Sequence, residues 1–248
     1  MRNTLTIFQR EFVAYFLSPI AYIVTFVFMA VNNFGFYSVV SFLNRPAAAP
    51  LRPMEIFLTF NIFLWVYLPV VAPVLTMRLL AEEKRLGTIE MLMTAPVTEA
   101  QVVIGKYLAA LAFYVILWIP TLAYTVVLTK YGTPDYGEFL AGYIGIILLG
   151  AVFLSVGLLA SSLTRSQIGA AILGMLPIFV IWWLPVLLPP SISQGTYGKV
   201  VSFFNVTEHL SLDFSNGILD TRRLVLYVTE IGLMLFATIR IVETTKGR

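Results

Sequence analysis

The chain has 248 residues, of which 59% are hydrophobic and only 12% charged, against about 25% charged in an ordinary soluble domain. With a mean hydropathy of +0.88 this is the composition of an integral membrane protein. A net charge of +3 without any basic stripe argues against nucleic acid, and the absence of cysteine excludes disulfides, thiolate metal ligands and cysteine nucleophiles.

The first eighteen residues, MRNTLTIFQREFVAYFLS, carry Arg2, Arg10 and Glu11, which interrupt the apolar core that a removable signal needs, so the first span is expected to stay in place. Leu5, Phe8, Phe12, Tyr15 and Phe16 fall at helical spacing, Asn3 reads as an N-cap and Ser18-Pro19 as a stop. Residues 1–18 are therefore expected to form an amphipathic helix lying in the membrane face.

Six apolar runs long enough to cross a bilayer follow, at residues 20–41, 56–77, 103–129, 139–163, 168–188 and 224–241. Unpaired backbone groups are costly in lipid and these runs are continuous rather than alternating, so each is read as a helix and not as a barrel strand. The fold class is an all-α polytopic membrane protein, with a single transmembrane domain over residues 1–248. An even number of spans puts both termini on one side. That side holds ten of the 16 lysines and arginines and the other six, so the termini and the connector between spans 2 and 3 are expected in the cytoplasm.

That connector, residues 79–97, reads LLAEEKRLGTIEMLMTAPV. Leu79 to Leu86 continue as helix, Gly87 suits a left-handed C-cap, and Thr88 opens a second short helix that Pro96 breaks. Thr98 and Gln101 then form a capping box that starts the third span. A plain return needs only a few polar residues. The punctuated, charged connector reads as a docking surface, and the alternative is a solvated loop that merely obeys the positive-inside rule. Further on, the fifth run is interrupted by Gly174, Pro177 and Pro185, and Pro189 and Pro190 follow it. The outer segment 189–223 holds an apolar middle too short to cross, which suggests a re-entrant or interfacial element.

Few residues offer chemistry. Glu230 is the only acidic residue well inside a span, and it reads either as a coupling group or as a structural partner for an outer-side group, Arg223 being about 10 Å away along a helix. His209 is the sole histidine, which argues against a zinc site. Gly142, Gly145, Gly150 and Gly157 read as close helix packing. The pattern G-x-x-x-x-G-K-[ST] is absent, so the chain holds no phosphate loop of its own.

The run PVLTMRLLAEEKRLGTIEMLMTAPVTEAQVVIGKY resembles the stretch between the second and third spans of type 2 ABC permeases, in which R-x-x-x-E-E-[RK]-x-x-G-T-x-E-x-L-x-x-x-P recurs, followed by G-K. Here those positions are Arg78, Glu82, Glu83, Lys84, Gly87, Thr88, Glu90, Leu92, Pro96, Gly105 and Lys106. The six-span layout and amphipathic start match as well. Within the family the chain looks most like the gliding-motility-associated permeases.

The resemblance implies a non-catalytic permease subunit of an ATP-driven transporter in a bacterial inner membrane, exporting a hydrophobic or amphipathic substrate. The motif residues through Pro96, with Arg85 among them, would form a coupling helix seated on a separate ABC ATPase. Two such ATPase subunits would hold the ATP and magnesium, so no cofactor is expected on this chain. A second permease unit completes the pathway, and an auxiliary membrane-anchored protein with an outer domain is a further expected partner. By the same resemblance the second and fifth spans line the pathway, which nominates Asn61, Trp65, Phe179 and Trp182, with Glu230 added as the lone intramembrane acid. The alternatives are a force-transmitting subunit acting on an outer auxiliary protein and an ion-coupled secondary transporter.

Overall fold

The computed structural model describes residues 2–44, 56–58, 62–87, 97–131, 135–187 and 205–246, and among these every regular element is a helix. Asn61, the connector residues 88–96 with Thr88, Glu90, Leu92 and Pro96, and the outer residues 189–204 lie outside the described residues.

The first helix, α1 (Arg2–Phe16), already includes Asn3, which therefore sits within its first turn rather than capping it. Ser18 is extended and Pro19 opens α2 (Pro19–Leu43), where its fixed φ suits the first helical position and its missing N–H costs nothing. The second span is α3 (Ile62–Leu86). It runs on to Leu86 rather than stopping at Met77, because hydropathy reports the solvent and not the continuity of the backbone. Residues 56–58 are helical as well. Glu82 to Arg85 extend α3 as helix, with Lys84 and Arg85 in its last turn, where cations complement the helix dipole. Gly87 ends it at φ 70°, a conformation that only glycine adopts cheaply.

Thr98 starts α4 (Glu99–Trp118) with both bonds of the capping box in place, Thr98 Oγ1 accepting from the Gln101 amide and Gln101 Oε1 from the Thr98 amide. A 3-10 turn at Ile119–Thr121, containing Pro120, leads into α5 (Leu122–Tyr131). Together α4 and α5 make one candidate span, Glu99–Thr129. Next come α6 (Tyr136–Leu163) and α7 (Gln167–Leu187). A compact turn follows, built from Val206–Glu208, a π-helical His209–Asp213 and a 3-10 Phe214–Asn216. It delivers the chain to α8 (Thr221–Lys246). Among the described residues six helices are long and apolar enough to cross a membrane.

The centre of the bundle is α6. Of its spanning stretch 72% is buried, against 28% for α2, 28% for α7 and 17% for α8. A helix that is apolar all round belongs inside. Accordingly α3, α4, α7 and α8 all pack on it, while α1 lies along α4. Small residues set the separations. A Cβ on Gly150 would lie 2.2 Å from the Tyr114 ring, and one on Gly157 would lie 2.2 Å from Thr76 Oγ1, so α4 and α3 both press directly on the α6 backbone.

Candidate functional site

The charged end of α3 is not a loose loop. It is bound on three sides, and the most buried of its charged partners is Lys106, about two turns into α4 and only 1% exposed. Lys106 Nζ donates to Glu83 Oε1 at 2.8 Å and to Glu11 Oε1 at 3.0 Å. Arg10 Nη2 lies 2.6 Å from Glu11 Oε1 and 3.4 Å from Glu83 Oε1. Two cations and two carboxylates from α1, α3 and α4 thus neutralise one another. Neutralisation is what makes a buried ammonium tolerable, since desolvating it alone costs several kcal/mol. Burial by itself pushes the Glu11 carboxyl up, but the Lys106 charge and the hydrogen bonds from Arg10 and Lys106 outweigh it and hold Glu11 below its ordinary 4.5.

The neighbouring glycine explains how the cluster closes. A Cβ on Gly105 would meet Ile7 Cγ2 at 3.0 Å and the Thr4 carbonyl at 3.1 Å, so the missing side chain lets α1 lie against α4 and brings Glu11 within reach of Lys106. The far end of α1 is fixed by Arg78. Its guanidinium stacks 4.9 Å above the Tyr15 ring and donates to the Ala14 carbonyl at 3.3 Å, one of the last-turn acceptors that a helix leaves unfilled. Tyr15 in turn donates to the Leu75 carbonyl at 2.8 Å.

The third side is α6. Lys84 Nζ donates to the Ser162 carbonyl. Ser161 Oγ accepts from the Leu80 and Ala81 amides at 3.1 and 3.0 Å and donates to the Met77 carbonyl at 3.0 Å. The Met77 carbonyl and the Ala81 amide are the two ends of one rung of a regular helix, so a hydroxyl from α6 bonds to both ends of a rung of the α3 ladder.

Of the residues expected to present a docking face, Arg78, Glu83 and Lys84 therefore face inward and hold α3 to α1, α4 and α6. Sequence spacing gives no orientation to a charged helix end, and the charges were read outward because the connector is the chain's most polar stretch. Glu82 and Arg85, 3.9 Å apart and 39% and 58% exposed, do face outward, next to Gly87. Arg10, Glu11 and Ser161 were not anticipated, and Lys106 entered only as part of the motif. Two signals were present. Lys106 is an ionisable group inside an expected span, and Glu11 falls on the same helical face as Phe8 and Tyr15.

Of the residues expected to line a pathway, the structure brings two together. Trp65, 8% exposed, and Trp182, 1% exposed, pack edge to face with ring centres 5.2 Å apart, and Trp182 also contacts the Phe153 ring at 5.4 Å. Trp65 Nε1 donates to the Leu58 carbonyl at 3.1 Å. They form a buried aromatic knot between α3, α6 and α7 within this single chain. Phe179 is half-buried on α7, and Glu230 stands apart on α8.

No curated protein matches the chain. Its architecture nevertheless has a counterpart among known families: from within α1 to the turn before α8, residues 6–215 match the family described as ABC-2 family transporter protein, and the chain belongs to that family of membrane permeases.

Proposed function

We propose that this chain is the membrane-spanning subunit of an ATP-driven type 2 ABC transporter that exports a hydrophobic or amphipathic substrate across a bacterial inner membrane. Family membership supports association with an ABC ATPase and a lipid bilayer. The finer reading rests on one observation, the Lys106 cluster. It makes the connector end of α3, the start of α4 and the whole of α1 one rigid piece. A push from two ATPase subunits on residues 79–97, at the cytoplasmic face, then tilts spans 2 and 3 together instead of bending the connector. ATP and magnesium are held by those partners, and a second permease unit supplies the other wall of the pathway.

A second reading, transmission of force to an outer auxiliary protein, is favoured by the way the turn before α8 is seated. Phe214 fills the space over Gly145 so closely that a Cβ there would lie 2.6 Å from its ring, and Asp213 pairs with Arg223 at 3.2 Å. Movement of α6 or α8 therefore reaches the outer segment directly.

The test is co-purification with ATPases encoded nearby, followed by ATP hydrolysis and substrate release in lipid nanodiscs. The wild type is expected to retain an ATPase, Glu82→Ala with Arg85→Ala to weaken its retention, and Lys106→Met to keep it bound while hydrolysis no longer responds to substrate. A wild-type chain that retains no ATPase overturns the reading.

A further inference from the structure

At the end of the bundle away from the Lys106 cluster, Glu230 lies about 14 Å along α8 from its first residue, within the spanning stretch Thr221–Thr244. The sequence reads Glu230 either as a coupling group or as a structural partner for an outer-side group, and the Arg223 guanidinium on that side pairs with Asp213 at 3.2 Å. Among the described residues no hydrogen bond or ion pair reaches the Glu230 carboxylate.

Glu230 is one of the residues that line an almost wholly apolar cavity of about 80 Å³ between α6, α7, α8 and the turn before α8. Val152, Val156, Ile178 and Met234 contribute apolar wall, and His209 and Tyr227 contribute the polar groups besides Glu230. Tyr227, three residues before Glu230 and so on the same helix face, has its hydroxyl 2.9 Å from His209 Nδ1, and both residues are fully buried. The His209–Tyr227 pair satisfies its own polar atoms and fixes the turn as the roof of the cavity. It leaves the carboxylate as the one charged group of the wall.

A carboxylate at this depth is costly unless a cation or a proton joins it. A metal ion is a poor match, because hard cations take six to eight oxygen ligands and no group of three metal-binding side chains gathers among the described residues. The walls instead match a ligand with a small cationic head and an alkyl body. A single water needs about 10–15 Å³ of space open to its centre, so the cavity admits an ammonium head and the first methylenes behind it. Glu230 is only half-buried, which leaves a lateral way in from the lipid.

We propose that this cavity is a binding site for the ammonium group of an amphipathic amine, with the nitrogen paired to the Glu230 carboxylate and the first methylenes against the α6 and α7 walls. The site lies inside one permease unit and is separate from the Trp65–Trp182 region.

The test uses the full chain alone in nanodiscs, with n-butylammonium as the probe and n-butanol as the uncharged control. Its result is thus independent of whether an ATPase couples to the connector. Ligand-observed NMR and the melting temperature are expected to show saturable binding of n-butylammonium and none of n-butanol. Glu230→Gln and Val156→Phe, the second filling the cavity without touching the charge, are each expected to weaken binding about tenfold or more. Should Glu230→Gln fail to fold, Glu230→Asp, which withdraws the carboxylate by one methylene, is expected to show an intermediate loss. Equal binding by wild type and the Glu230 variants overturns the proposal. So does an infrared band of a protonated carboxyl, absent in Glu230→Gln, that persists when n-butylammonium is saturating.

Discussion

Lys106 faces two carboxylates on different helices, and removing its charge leaves Glu11 and Glu83 facing each other with only Arg10 between them and solvent. Lys106→Met is therefore expected to destabilise the chain by about 3–5 kcal/mol, the usual consequence of breaking a buried pair from one side. Adding Glu83→Gln to it should restore part of the loss, as a double-mutant cycle of melting temperatures in detergent would show. The same cluster sets an acid limit. Because Glu11 is held below its ordinary value in the folded chain, its contribution is complete above pH 4.5 and is lost as the pH falls through the depressed folded value. Wild type should lose melting temperature over that acid range, whereas Glu11→Gln should start lower and change less. At this scale the sequence announced which residues matter more clearly than it announced what they touch. The charged connector and the Gly105-Lys106 pair stood out, but Glu83 proved to be an internal partner, since the direction of a side chain depends on helices far away in sequence.

Among the elements, α3 is the most heavily interrupted. It contains Pro69 and Pro73, and Thr76 Oγ1 donates to the Ala72 and Pro73 carbonyls one turn below the rung whose ends Ser161 bonds. Ser161→Ala leaves the Leu80 and Ala81 amides without that acceptor and is expected to cost about 1–3 kcal/mol, with faster amide exchange confined to the connector end of α3. Gly150→Ala drives a methyl into the Tyr114 ring and should cost about 1–3 kcal/mol, read as a lower melting temperature with the helix content unchanged. Hydropathy located all six spans, and turn chemistry located Gly87, the Ser18-Pro19 break and the Thr98 capping box. The expected end of the second span at Met77 falls short because Arg78 and Glu82 to Arg85 lower the hydropathy of a helix that continues to Leu86. The packing reading of Gly150 and Gly157 held, since small residues in an apolar helix have little use except close approach.

The whole molecule is a bundle built around α6, with α2, α7 and α8 keeping most of their surface for other company. Leu176 and Val180, 58% and 56% exposed, mark the open face of α7, while Leu233 and Phe236 mark that of α8. The chain contains no cysteine, so single cysteines report without background. In membranes, cysteines at Leu176 or Val180 are expected to cross-link two permease units, and cysteines at Leu233 or Phe236 are expected to remain monomeric. The reverse pattern would place the paired surface on α8. The central place of α6 was legible in its uniform apolarity, but the order of helices around it was not, because lipid-facing and helix-facing apolar residues look alike in sequence.

The hydroxyl of Ser161 in the α3 ladder bears on how a push would spread. A helix whose rungs are all its own moves as a single rod, and a shove at one end must shift the whole length through lipid. Here a hydroxyl anchored in the central helix grips the rod near its connector end, which gives it a fixed point. A push on the connector then tilts α3, with α1 and the start of α4, about that point, and the bearing that carries the load belongs to α6.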